Sequence, residues 1–215
     1  MPRWNPEAIW KDEDVFIIGG GHSLRDFDWS LLKQELTVGC NTAFTLGADI
    51  CKVCIFGDLK WYTTFKSDLS QFEGTVFTNV TQLQKPKNIP SWLWVMDRKA
   101  RGLHRDALGW NNNTGASAIN LALLLGACRV FLLGFDMTES QEGKPNWHDK
   151  RIEPHTISYV DKFVPAFGHV AADLKSKFPG CSIHNISDNT ALNTFPIIGT
   201  QEFWSQRIRD RKRVG

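Results

Sequence analysis

Three consecutive glycines followed by a histidine and a serine, Gly19-Gly20-Gly21-His22-Ser23, stand where an apolar run ends. Glycines tolerate positive φ and let backbone N–H groups close on an anion, and a following helix N-terminus favours negative charge. The spacing is not the dinucleotide fingerprint, because Leu24 occupies the place of the third glycine. No Gly-Lys-Ser/Thr follows to make a Walker loop either. A tight strand-to-helix turn with no ligand uses the same residues, so this loop has low specificity on its own. Asp58 and Asp136 are the acidic candidates: each could help hold Mg²⁺ with a diphosphate, bond a ribose, or cap a helix. No Asp-x-Asp pattern accompanies them, so no metal ligand set is assigned. A histidine on a polar loop suits a general base for an acceptor hydroxyl, because imidazole titrates close to neutrality. His148, in Asn146-Trp147-His148-Asp149, is the first candidate, and His155, in Glu153-Pro154-His155, the second. The alternative for His148 is a surface imidazole satisfied by Asp149.

The elements that must position these groups alternate short apolar runs with amphipathic stretches, the pattern of an α/β fold. The expected architecture is one Rossmann-like domain, a mostly parallel sheet with helices on both faces. Strands are expected over 15–18, 36–40, 53–56, 75–79, 92–96, 130–133 and 181–186. Helices are expected over 28–35, 61–69, 118–125, 157–178 (broken or kinked by Pro165 and Gly168) and 201–207. Residues 97–113 and 138–153 lack an apolar period and read as long surface loops. In an open parallel sheet, ligands bind beyond the carboxyl ends of the strands where strand order reverses. Five expected strand ends carry small or hydrogen-bonding residues: the glycine loop, Asn41-Thr42, Gly57-Asp58, Gly134-Phe135-Asp136, and the Asn-rich run from Asn185 to Asn189. Asn113-Thr114-Gly115 opens the apolar helix, with Thr114 the expected N-cap and all three residues candidates for ligand contact.

The chain has 215 residues and a formal net charge of +2, too small to require a nucleic acid, a membrane surface or an acidic partner. Residues 1–205 read as the nucleotide-binding domain and 206–215 as a basic C-terminal tail. In that tail Arg207, Arg209, Arg211, Lys212 and Arg213 surround Asp210, the composition of a solvated, frayed end or of a weak nucleic-acid contact. No apolar run reaches the roughly 18 residues that span a bilayer, and Met1-Pro2-Arg3-Trp4 does not begin a signal peptide, so a cytoplasmic location is expected. Cys51 and Cys54 form a C-x-x-C inside an apolar strand, where buried thiols are expected rather than a redox or zinc site. Most of the tryptophans are assigned to packing, with stacking on a base or sugar the alternative for Trp61, Trp92, Trp94 and Trp110.

Taken in order, 15–24 (VFIIGGGHSL), Cys40-Asn41, Thr114-Gly115-Ala116-Ser117-Ala118 with Leu125-Gly126-Ala127, and Leu132-Leu133-Gly134-Phe135-Asp136 resemble a known grouping. It comprises the bacterial sialyltransferase-like glycosyltransferases and proteins with a 6-hydroxymethylpterin diphosphokinase-like domain, with many relatives in phage and prophage genomes. The resemblance spans about residues 13 to 195. It implies a CMP-type nucleotide-sugar donor held by Gly19, Gly20, Gly21, Ser23, Asn41, Thr114, Gly115 and Asp136. It also implies a general-base histidine beyond the Gly-x-Asp strand, which points to His148 and then His155. Tyrosines that stabilise the departing phosphate belong to the same pattern, yet Met137-Thr138 stands where the first is expected. Gly21 and His22 replace the Asn and Pro usual in the sialyltransferase loop. The diphosphokinase branch implies transfer of pyrophosphate from ATP with Mg²⁺ near Asp58 and Asp136, and a non-catalytic nucleotide-binding phage protein is the third reading.

Overall fold

The computed structural model describes residues 8–84, 89–140, 143, 146–150 and 159–214. Strands β1 (Asp14–Ile18), β2 (Leu36–Cys40), β3 (Val53–Phe56), β4 (Thr75–Thr78) and β5 (Leu93–Val95) run outward in sequence from the middle of the sheet. A short ladder of β6 (Arg98–Lys99) and β7 (Leu108–Gly109) follows. Strands β8 (Arg129–Leu133), β9 (Ser182–Ile186) and β10 (Ile197–Ile198) complete the other half. The sheet order is β10-β9-β8-β1-β2-β3-β4-β5, and every pairing in it is parallel. The α/β architecture expected from the alternation is the one observed.

Parallel strands need crossovers that cover the sheet, and alternation along β1 shows both faces covered. Val15 and Ile17 enter one apolar core with helix α2 (Thr114–Leu124) and helix α4 (Val164–Lys177). Phe16 and Ile18 enter the other with helix α1 (Leu59–Leu69) and Trp204 of helix α5 (Thr200–Val214). Helix α2 is apolar around nearly its whole circumference because it lies between the sheet, the β6–β7 segment and α4. A single turn, α3 (Tyr159–Lys162), precedes α4; the expected 157–178 helix is divided at Phe163, with Pro165 in the first turn of α4, where a missing N–H costs nothing. Gly168 lies inside α4 without breaking it.

Three expectations are corrected. Residues 28–35 form only a 3₁₀ turn, Trp29–Leu32, capped by Asp28. The stretch 97–113 is not a featureless surface loop: Leu103, Ala107 and Leu108 are fully buried, and Asn side chains replace the missing apolar period. Asn111 bonds the N–H and C=O of Gly102, and Asn120 of α2 bonds both backbone groups of His104 and the N–H of Gly109. The basic end is not frayed through 214 either. Helix α5 continues through the 205/206 boundary, and its Arg207 forks onto Glu35 at 2.7 and 2.9 Å and onto Asp14, while Arg211 also reaches Glu35. These pairs fix α5 to the amino-end rim of the sheet, opposite the strand ends that carry the site. The five cysteines are free, as expected, and burial pushes the Cys51 thiol up to about 12. No described helix is long and apolar enough to cross a membrane.

Candidate functional site

Strand order reverses between β1 and β8, because the chain moves outward from β1 to β5 and returns through α2 to the other side. A cavity of about 530 Å³ opens there, beyond the carboxyl ends of β8, β1, β2 and β3. Of the residues singled out in the sequence, Gly19, Gly20, Gly21, Asn41, Asp58, Asn113, Thr114, Gly115 and His148 line it. Ser23 and Asp136 do not, and His155 lies outside the described residues.

The glycine loop serves the site by a different physics from the one expected. None of Gly19, Gly20 and Gly21 adopts positive φ. What excludes a side chain is proximity: a Cβ at Gly19 would stand 2.6 Å from the Gly134 carbonyl oxygen, and one at Gly21 would stand 2.5 Å from an Asp136 carboxylate oxygen. Nor are the loop donors directed at a ligand, since Gly19 N–H goes to Leu133 O and Gly21 N–H to Gly134 O, both at 2.8 Å. The loop is a thin, side-chain-free wall stitched to the end of β8. Ser23 completes the stitching: its N–H and Oγ–H both donate to the Asp136 carboxylate, at 2.8 and 2.6 Å. Asp136 is fully buried, with His22 Nε2 at 3.7 Å.

On the opposite wall the three successive asparagines have separate tasks. Asn111 holds the β6–β7 segment, Asn112 lines the cavity, and Asn113 caps α2 by accepting from Ala116 N–H. The cap is therefore Asn113, not Thr114, and the first-turn N–H groups of Thr114 and Gly115 sit at the cavity with no intrahelical partner. A Cβ on Gly115 would strike the Phe135 ring at 2.6 Å, which seats this helix end directly on the end of β8. Backbone strain gathers at the same place. Of the non-glycine residues with positive φ among those described, Asn41 (51°), Asn112 (53°) and Met137 (55°) all line the cavity, and only Asp12 lies elsewhere. Asparagine tolerates this region, whereas methionine has no local polar compensation, and such outliers persist where the surroundings hold them.

Several lining residues carried no decisive signal in the sequence: Lys60, Trp61, Trp110, Asn112, Lys150, Lys162 and Phe163. Trp110 rests against Gly57, where a Cβ would meet its ring at 2.6 Å, and the Arg98 guanidinium lies 4.0 Å from its ring centre. Arg98 in turn donates to the carbonyls of Asn79 and Gly57, so the indole is held in place. Burial lowers the pKa of this guanidinium from its ordinary value. Trp61 is buried among Phe44, Phe56 and Phe65, and its indole N–H and the Oδ1 of Asn41 have no hydrogen-bond partner among the described residues. An unmet buried donor or acceptor costs about 1–3 kcal/mol until something satisfies it.

His148 sits on the segment 146–149, which is tied to the glycine loop: Trp147 N–H donates to Gly20 O at 3.1 Å and its indole to Gly19 O at 3.0 Å. Arg25 adds a bond to Asn146 O at 3.2 Å. The His148 ring stands edge-to-face on Trp147 at 4.9 Å, so its place over the cavity is set by packing. The two carboxylates considered for Mg²⁺ do not fit a common site. Asp58 caps α1 by accepting from Trp61 N–H at 2.7 Å, and Asp136 is turned away to Ser23. Among the described residues no cluster of three or more His, Cys, Asp or Glu side chains could hold a metal ion.

The crossing of β8, β1, β2 and β3 under this cavity can be compared with known folds. The chain shares the fold of a sialyltransferase. It is similar to the sialyltransferase CstII from Campylobacter jejuni in complex with a substrate analogue, cytidine-5'-monophosphate, with a TM-score of 0.50 and 14% identity over 88% of this chain and 86% of that chain. A structure of the same enzyme with CMP-3FNeuAc gives 0.47 and 14% over 88% and 87%. At this identity the likeness is one of fold. No protein-family model matches the chain, and no curated protein does.

Proposed function

We propose that this chain is a nucleotide-sugar-dependent glycosyltransferase of sialyltransferase-like type, which moves a sugar from a CMP-type donor to an acceptor hydroxyl. The observation that carries the reading is His148, held by Trp147 over a cavity whose remaining walls are strand ends and a helix N-terminus. The shared fold, in a neighbour solved with cytidine-5'-monophosphate, supports the choice of donor. In this reading the first turn of α2, with Thr114 and Gly115, faces the donor phosphate, where the helix dipole and open N–H groups favour negative charge. Asn41 Oδ1 and the Trp61 indole offer an acceptor and a donor to the nucleoside. The acceptor oxygen attacks the anomeric carbon while His148 takes its proton, and the bond from that carbon to the phosphate oxygen breaks with its electron pair leaving on the phosphate. His148 then carries one proton more and the nucleotide one negative charge more, so the step balances. Because Asp58 and Asp136 are engaged elsewhere, no step is assigned to Mg²⁺, and the diphosphokinase reading has no observation in its favour.

Thermal-shift measurement against CMP, UDP, GDP, ATP and CMP-sugars, with and without Mg²⁺, tests the proposal. Stabilisation by CMP or a CMP-sugar without metal is expected. A response only to ATP with Mg²⁺ would move the protein to the diphosphotransferases, and no response at all would refute nucleotide binding. His148→Ala is expected to bind donor normally and to lose turnover by roughly 100-fold or more. Normal binding with unchanged turnover would remove His148 as the base.

A further inference from the structure

We propose that Lys150 and Lys162 make the cavity selective for a donor that carries two anionic groups rather than one. This deepens the glycosyltransferase reading and rests on it. The charged side chains lining the cavity, apart from His148, are Lys60, Lys150, Lys162 and Asp58, an excess of two positive charges. Asp58 is itself directed at the α1 backbone, which leaves the lysines as the groups that meet ligand charge. No arginine lines this cavity.

The lysines are also divided in space. Lys60 belongs to α1, which follows β3, while Lys150 and Lys162 lie with His148 and Phe163 at the β1–β8 end. Sheet order places β8 and β3 three strand spacings apart, about 14 Å at the usual inter-strand distance. A compact single phosphate cannot meet cations at both ends of such a cavity, and the end that bears His148 holds two of the three. That end is where the glycosidic bond to the nucleotide would break and charge would develop. Lys162 has its ammonium 5.6 Å from the Phe163 ring centre, and Lys150 directly follows the segment pinned to the glycine loop. Tyrosine does not supply this charge from the core: Tyr62 is stacked on Phe56 in the opposite apolar layer, and burial raises its pKa.

Two donors share the chemistry: a nucleoside diphosphate ester, with its second charge on phosphorus, and a nucleoside monophosphate ester of an acidic sugar, with its second charge on carbon. Calorimetric binding of CMP, CDP and CMP-N-acetylneuraminate to the full chain and to the Lys150→Ala/Lys162→Ala variant tests the proposal and separates them. Both lysines are exposed, so the variant is expected to fold, which circular dichroism checks. The unsubstituted protein should prefer at least one of the two dianions to CMP by about fivefold or more, and the double variant should bring that ratio near one. Preference for CDP alone identifies the diphosphate donor, and preference for the sugar acid alone the carboxylate. Equal affinity for all three ligands, or a preference that survives in the double variant, overturns the proposal while leaving the glycosyltransferase reading intact. Failure of all three to bind overturns both.

Discussion

Replacing Gly21 by alanine tests the claim that the glycine loop exists for close packing rather than for unusual backbone conformation. The new methyl carbon would stand 2.5 Å from Asp136 Oδ2, 2.6 Å from Gly134 O and 2.7 Å from Asp136 Cγ. Each is about 1 Å inside normal contact. None of these atoms is the far end of a flexible chain: Gly134 O is backbone, and the carboxylate is fixed by two bonds from Ser23. Relief requires breaking the Gly21–Gly134 bond, worth about 1 kcal/mol, together with one charged bond to Asp136, worth about 2 kcal/mol. A loss of roughly 3 kcal/mol follows, near the upper range for overpacking. For a chain of this length that lowers Tm by about 6–12 °C. Two companion variants set the scale. At Gly20 the Cβ would meet only the Asn146 side chain, at 3.2 Å, so Gly20→Ala should cost less than about 1 kcal/mol. Gly168 is inside α4 with nothing within 4 Å, so Gly168→Ala should gain about 0.8 kcal/mol from helix propensity. Scanning calorimetry and urea unfolding of the three variants give the order Gly168→Ala above wild type, Gly20→Ala near it, Gly21→Ala well below. A Gly21→Ala protein within about 1 °C of wild type would refute the packing argument.

Two further outcomes follow from the rim and the sheet. Arg207→Ala should destabilise by about 2 kcal/mol, because Glu35 and Asp14 are largely buried and lose a forked partner, and limited proteolysis should then cut within α5 before the rest of the chain; resistance equal to wild type would show that the pairs do not hold the helix. Burial, with a contribution from Arg129, pushes His184 below the ordinary imidazole range. The unfolded chain therefore takes up this proton at higher pH than the folded one, so stability falls as pH drops through the ordinary imidazole range and levels off below the folded value. The urea midpoint should decline between about pH 7.5 and 5.5, and His184→Gln should flatten that decline; identical slopes would remove His184 as its source.

Periodicity was enough for the sheet. Runs such as 36–40 and 53–56 match β2 and β3 because a strand buried on both faces is apolar throughout, and little else of that length is. What failed was local polarity read as exposure. The stretch 97–113 is polar because its asparagines replace hydrophobic packing with bonds to α2, and the basic residues after 205 pair with Glu35 and Asp14, which lie more than 170 positions earlier. Charge composition alone cannot distinguish a helix clamped by buried carboxylates from a solvated tail, because the carboxylates are remote in sequence.

The site divides along the same line. Residues that end a strand or begin a helix were legible, since the carboxyl edge of a parallel sheet collects whatever follows each strand, and Gly19, Asn41, Asp58 and Thr114 all arrive there. Lys60, Trp61, Trp110 and Lys162 were not, because nothing beside them in sequence says which way a helix or loop turns its side chains over that edge. Ser23 and Asp136 show the converse. Each occupies a position at the strand edge that suggested ligand contact, yet β1 and β8 are neighbours only because the chain makes a five-strand excursion and returns. That adjacency brings the carboxylate within 2.6 Å of the serine hydroxyl, and the same step leaves Gly21 no room for a methyl group. The glycine loop and the Gly134-Phe135-Asp136 turn are thus two halves of one interlock across the switch point. The groups left to meet a ligand are those the interlock does not consume: the α2 N-terminus, Asn41, Trp61, the lysines and His148.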